Sequence, residues 1–224
     1  MNTTFELIWL IIVNPKEAFR KIREEKPLYA ALIFLLMYGI VAVVVGHFAG
    51  QNINKAIPEM PNGEVTPYLK GFSQAFSAFM NNYFSSTLFF VTGLIIPYIV
   101  TFASASIYDL IAQFTIKRAN GITLFTAWTF AAMPMVIYKL LYLIISLTLN
   151  YKLPFYIELI FIVWGIYLYI IAIKESYEID TGIAIGIYFI PIIIVFVVLI
   201  IYTALIVSAI GSILPSLPKG AFTP

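Results

Sequence analysis

Apolar residues in this chain fall in long unbroken runs, with polar residues confined mostly to the gaps between them. A helix needs about 20 apolar residues to cross the hydrocarbon core of a bilayer, because each residue rises only about 1.5 Å and every backbone group must be satisfied within the segment. Five runs meet that requirement, at 28–48, 87–108, 122–149, 154–173 and from 183 to about 206 or beyond. The pattern predicts an all-α, polytopic transmembrane helical bundle of five spans. Lys26-Pro27 precedes the first span, Asp109 closes the second, Lys139 interrupts the third, Glu158 lies early in the fourth, and Asp180-Thr181-Gly182 opens the fifth.

Two segments outside the spans have amphipathic spacing. Residues 1–27 are expected to form a cytoplasmic, interfacial region. The apolar run 7–13 has no positive charge before it and no small-residue cleavage site after it, so it is expected to be retained rather than removed as a signal peptide. Asn14-Pro15-Lys16-Glu17 then reads as a helix start, with Asn at the N-cap, Pro at the first helical position and Glu at the third. The helix gathers Ala18, Phe19 and Ile22 near one side and sets Lys16, Arg20, Lys21 and Arg23 largely on the others. Such a basic helix beside a span is expected in the headgroup region, with Glu17–Lys21 and Arg20–Glu24 as favourable i,i+4 pairs. The four cations make a candidate membrane-surface or partner patch. The second segment belongs to an outer loop and amphipathic helix at 49–86. Thr66-Pro67 can cap a helix in which Tyr68, Phe72, Phe76, Phe79 and Tyr83 form one aromatic stripe. That stripe is expected to lie on the outer membrane surface or to cover the bundle. The span region occupies 28–213, and 214–224 is a short outward tail.

Composition agrees with the hydropathy pattern. The chain is 62% hydrophobic and 11% charged, with a mean hydropathy of +0.97. A soluble domain carries about a quarter charged residues to cover its wet surface. The net charge of +2 and the absence of a basic face interleaved with aromatics exclude nucleic acid as a partner. Orientation follows the Lys and Arg distribution. With the N-terminus inside, eight cations (Lys16, Arg20, Lys21, Arg23, Lys26, Lys117, Arg118, Lys174) fall in cytoplasmic segments and four (Lys55, Lys70, Lys152, Lys219) outside. The C-terminus is then expected outside.

Candidate chemistry is sparse. A single histidine and no cysteine give no basis for a metal site, and there is no nucleophile elbow, Ser–His pairing or phosphate-binding loop, so no catalytic residue or cofactor is expected. Ionisable residues at membrane depth are candidates by default, because they are costly there. Lys139 and Glu158 face each other across the short turn 150–153 and form a candidate intramembrane polar pair. The alternative is that each snorkels separately to the interface. Asp109 is a candidate interfacial carboxylate near the end of the second span, with Gln113 and Lys117 further along the same helix. Pro97, Pro134 and Pro191 are expected to kink their helices. Gly182 and Gly186 open the fifth span as a candidate helix contact face.

The order of these features resembles a known family. Asn14-Pro15-Lys16-Glu17-Ala18-Phe19, followed by charge, Pro27 and five spans, is similar to the opening of the prokaryotic branch of the Yip-domain family, the Ypt/Rab-interacting membrane proteins and their relatives. Residues 125–134, Phe-Thr-Ala-Trp-Thr-Phe-Ala-Ala-Met-Pro, look like the family's third span up to its proline, and residues 157–176, with Trp164, Gly165 and Tyr169, resemble the fourth span and its exit. The resemblance covers nearly the whole chain. It implies five spans, a cytoplasmic N-terminus and an outward C-terminus. The Asp-Leu-Tyr-Gly-Pro and Gly-Tyr motifs of eukaryotic members are missing, so the resemblance implies no Rab-binding role. The expected function is a non-enzymatic, multi-pass protein of the plasma membrane whose partners are the lipid bilayer and another membrane or cytosolic protein. The alternative is a small transporter, channel or lipid-moving protein with a polar pocket near Lys139 and Glu158.

Overall fold

The computed structural model describes residues 3–56, 86–149 and 153–213, together with 71, 75, 76, 78, 79, 82 and 83. The apolar runs become helices because an all-helical backbone is the only open-chain solution that satisfies its own hydrogen bonds in lipid. In chain order they are α1 (Thr3–Val13), α2 (Pro15–Glu25), α3 (Leu28–Ala56), α4 (Thr87–Ile116), α5 (Gly121–Ala131), α6 (Met133–Leu149), α7 (Phe155–Tyr177) and α8 (Thr181–Ile213). Among the described residues, five segments are long and apolar enough to cross a membrane: Leu28–Phe48, Thr87–Ile116, Gly121–Leu149, Phe155–Tyr177 and Thr181–Ser208. The third comprises α5 and α6. Pro134 has no N–H to offer the carbonyl of Phe130, and the helix breaks at Ala132, whose own N–H turns back to Thr129. Pro97 and Pro191, by contrast, lie inside the unbroken helices α4 and α8.

The N-terminal region holds more helix than the Asn14 start alone predicts. The run at 7–13 is itself part of a helix, α1, which buries Leu7 and Ile11 and turns Phe5, Trp9 and Val13 outward. The predicted cap is present: the Asn14 side chain accepts from the Glu17 N–H at 3.4 Å and donates to the Glu17 carboxylate at 2.8 Å. The apolar face of α2 does not lie on lipid, however. Ala18, Phe19 and Ile22 sit in a core with Leu7, Ile11, Phe34, Phe130 and Leu168. Ala18, Phe19 and Ile22, within little more than one turn, bury more area against complementary helix surfaces than against headgroups, and α2 therefore packs on α7 and α5.

The bundle is tight at the α2 end and open at the other. Buried residues concentrate in the first half of α3 (Ala30, Ala31, Phe34, Leu35), the second half of α4 (Ala105, Tyr108, Ala112), α5 beyond its first two residues, the second half of α7 and the first turns of α8. The far half of α8, from 192 to 207, is exposed on every side, as suits a helix hydrophobic all round and bathed in lipid. Of the aromatic stripe at 68–83, Tyr68 and Phe72 lie outside the described residues. Phe76 and Phe79 are exposed helical residues, and Tyr83 docks on α4 with its hydroxyl 2.8 Å from that of Thr92.

Close helix approach occurs where small residues were not expected to matter. An ideal Cβ built on Gly39 of α3 would stand 3.3 Å from the Gly93 carbonyl of α4, one on Gly46 would stand 2.7 Å from the Phe89 ring, and one on Gly93 would stand 2.4 Å from Val43. Gly182 and Gly186 meet nothing within 4 Å and form no contact face. Without a hydrophobic driving force between helices, such backbone proximity supplies the dispersion contact that holds α3 to α4. Gly39→Leu is accordingly expected to destabilise the detergent-solubilised protein by about 1–3 kcal/mol through overpacking, read as a lower melting temperature, whereas Gly186→Ala should be neutral or stabilise by up to about 1 kcal/mol through helix propensity. The reverse ranking would place the tight interface on α8.

Candidate functional site

The tight end of the bundle brings together α2, the α4–α5 connection (117–120) and the α7–α8 connection (178–180), which hold most of the cations counted on the inner side of the chain. All three positive-φ non-glycine residues found among the described residues end helices here: Lys26, Lys117 and Glu178, with φ of 45°, 54° and 55°. Each breaks its helix in the left-handed conformation that glycine usually supplies. Of the three, only Lys26 was marked in the sequence, by the proline that follows it.

Asp109 is the centre of this end. It was expected at the helix terminus, but α4 continues to Ile116, which places Asp109 inside the helix and leaves it only 9% exposed. Its carboxylate accepts from the Tyr177 hydroxyl at 2.5 Å, from Gln113 Nε2 at 2.9 Å and from the Asn120 backbone N–H at 2.9 Å. Asn120 in turn donates its amide to the Ser176 carbonyl at 2.9 Å and accepts from the Thr123 hydroxyl at 2.7 Å. One carboxylate thus joins α4, the start of α5 and the end of α7. A buried charge is tolerable only when hydrogen-bonded in this way. Beside it, Tyr108, Trp128, Tyr169 and Tyr188 from four helices stack in one aromatic group, with Trp128 4.3 Å from both Tyr108 and Tyr169. A groove of about 710 Å³ runs along α3, α4 and α5, with Leu28, Leu32, Phe102 and Phe125 as apolar walls and Asp109 and Gln113 at its polar end.

The candidate basic patch is divided. Lys21 pairs with Glu6 of α1 and lies 3.9 Å from Glu25. Arg23 reaches Glu178 at 3.0 Å and the Glu175 carbonyl at 3.1 Å. Both therefore bind α2 to its neighbours, and the expected Glu17–Lys21 pair does not form because Glu17 serves the Asn14 cap. Lys16 and Arg20 remain exposed.

Lys139 and Glu158 are not brought together. The Lys139 ammonium lies 4.7 Å from the centre of the Tyr38 ring and 3.4 Å from its hydroxyl. Glu158 accepts from the Tyr138 hydroxyl at 3.3 Å. Each ionisable group takes a tyrosine from its surroundings, an arrangement that spacing along the chain could not indicate because Tyr38 is a hundred residues distant.

The family model of the Yip1 domain matches residues 9–215. The chain belongs to the Yip1-domain family. No curated protein and no solved structure matches it. The match spans the tight end as well as the five apolar helices, so this Yip1-domain chain is a multi-pass membrane protein in contact with the bilayer.

The Asp109 network predicts coupling. Asp109→Ala and Tyr177→Phe should each destabilise the protein by about 1–3 kcal/mol. The double variant should lose less than the sum by about 0.5–3 kcal/mol, measured by thermal unfolding in detergent; strict additivity would show that the two groups do not act together. A second expectation concerns α1. The Lys21 ammonium, hydrogen-bonded to Glu6, holds that carboxyl below its ordinary 4.5, and Glu6 holds Lys21 above its ordinary 10.5. The Glu6 contribution is therefore present above pH 4.5 and lost as pH falls through its lowered value. The Lys21 contribution is present below pH 10.5 and lost as pH rises through its raised value. Amide-exchange protection of α1 should fall at both extremes, and Glu6→Gln should remove both limbs.

Proposed function

We propose that this Yip1-domain protein is a non-enzymatic organiser of the plasma membrane that recruits a partner protein on its cytoplasmic, N-terminal side. The carrying observation is the anchoring of α2: Phe19 and Ile22 are fully packed against the bundle, Arg23 and Lys21 are tied to it, and Lys16, Glu17, Arg20 and Glu24 face away from it. A surface helix held this firmly presents its polar side with little conformational freedom left to lose on binding. The excess of Lys and Arg at this end supports a cytoplasmic N-terminus, and an odd number of apolar spans among the described residues supports a C-terminus on the opposite side. A transporter built on Lys139 and Glu158 has less support, since each of those side chains is engaged by a tyrosine.

The chain has no cysteine, so single thiols report cleanly. Arg20→Cys bearing a photo-crosslinker, in native membranes, is expected to yield a discrete protein adduct that disappears when Lys16→Glu is added. Phe114→Cys, exposed on the outer surface of α4, should yield none. In intact cells an impermeant maleimide should label Lys219→Cys but not Arg20→Cys. Adducts to lipid alone at position 20 would remove the recruitment reading, and labelling of both thiols would remove the orientation.

A further inference from the structure

A pocket of about 290 Å³ opens at the tight end, between the last turn of α2, the α4–α5 connection and the end of α7, with Arg23, Arg118, Asn120, Ser176 and Glu178 in its wall. Ser176 is 3% exposed, and among the described residues its hydroxyl is the one buried side-chain polar atom without a hydrogen-bond partner. An orphaned hydroxyl in native packing calls for a ligand or water that completes it. The two arginines come from places 95 positions apart (118 minus 23) and converge on one cavity.

Both guanidinium groups are already oriented. Arg118 donates through Nη1 to the Tyr177 carbonyl at 2.8 Å, and Arg23 donates through Nη1 to the Glu175 carbonyl at 3.1 Å and to Glu178 at 3.0 Å. A guanidinium has five N–H donors in a planar fork, so each retains donors after these bonds are made. Glu178 offsets one of the two charges, but it is an exposed side chain at the rim, and the wall keeps a net positive charge. Two forks in a cavity of this size match the oxygens of a tetrahedral anion, since guanidinium binds phosphate in a bidentate manner, and Ser176, whose hydroxyl has no partner, stands in the same wall.

We propose that this pocket binds a phosphate group, supplied by an anionic lipid headgroup or by a small soluble phosphate. The site is independent of the exposed face of α2 at Lys16 and Arg20, so it stands or falls apart from partner recruitment. Its place at the end of the membrane helices is the level at which headgroup phosphates reside, and the preset arginines lower the ordering cost of capture.

The test uses the full chain. Thermal unfolding is measured in neutral detergent with inorganic phosphate or with chloride at matched ionic strength, and in phosphatidylcholine nanodiscs with and without phosphatidic acid. Phosphate, phosphatidic acid or both should raise the melting temperature. Protection by inorganic phosphate identifies a soluble source, and protection by phosphatidic acid alone identifies a headgroup. Ser176→Ala should weaken the response about tenfold, the loss of one hydrogen bond to a charged group, while leaving the unliganded protein as stable as before or more so. Arg118→Lys, which keeps the charge but not the fork, should weaken the response at least as much. The inference is overturned if neither compound stabilises the protein more than its control, or if Ser176→Ala raises the melting temperature and both variants respond as the parent does.

Discussion

A carboxylate largely withdrawn from solvent organises the closed end of this bundle. In lipid, apolar side chains gain nothing by meeting one another rather than acyl chains, so helices are held by close packing and by polar groups that have no better partner. Asp109 is such a group. Its three donors come from its own helix, from the backbone entering α5 and from the last turn of α7. Removing any one leaves a charge short of compensation, which fixes the relative position of three helices more firmly than apolar contact would. The surrounding bonds extend the same logic: the carbonyls that end α7 have no intrahelical donors, and Arg23, Arg118 and Asn120 supply them.

Around this centre the fold is graded. α5 is buried along nearly its whole length, and its threonines satisfy their hydroxyls internally, Thr126 and Thr129 on carbonyls one turn back and Thr123 on Asn120. α1 and α2 close the end from outside, with Phe19 and Ile22 against Phe130 and Leu168. The opposite halves of α6, α7 and α8 meet lipid on most of their surface. A body rigid at one end and loosely packed at the other suits a platform whose fixed surface is the closed end. The phosphate pocket and the exposed face of α2 are both on that side, yet they use different residues.

How much of this was legible in the sequence depends on which signal each feature has. The spans follow from length and apolarity alone, and all five stood out. The α2 start was legible because Asn14, Pro15 and Glu17 have local roles within one turn of each other. The extent of α4 was not, because Asp109 looked like a polar stop; only the three donors that satisfy it explain why the helix continues to Ile116. Helix contacts were hidden for a related reason. In a soluble helix the apolar stripe marks the buried face, but here the lipid-facing and protein-facing sides are equally apolar, so periodicity could not separate Gly39 and Gly93, which touch across helices, from Gly182 and Gly186, which do not. The left-handed helix ends at Lys26, Lys117 and Glu178 lacked the glycine that would have announced them.

Lys139 and Glu158 show why proximity in sequence misleads at membrane depth. Spacing across the turn allowed a pair, and a desolvated ion pair can be worth less than the cost of removing both charges from water. The protein instead gives each charge a phenol. The Tyr38 ring offers its negative face to the ammonium, an attraction that gains strength as water is excluded, and the Tyr138 hydroxyl donates to the Glu158 carboxylate. Both side chains are only partly buried, so neither needs a full countercharge. Keeping them apart also ties different elements: Lys139 joins α6 to α3, while Glu158 joins α7 to α6. Two links between three helices, in the half of the bundle with the least packing, constrain more of the structure than one ion pair within a single hairpin could.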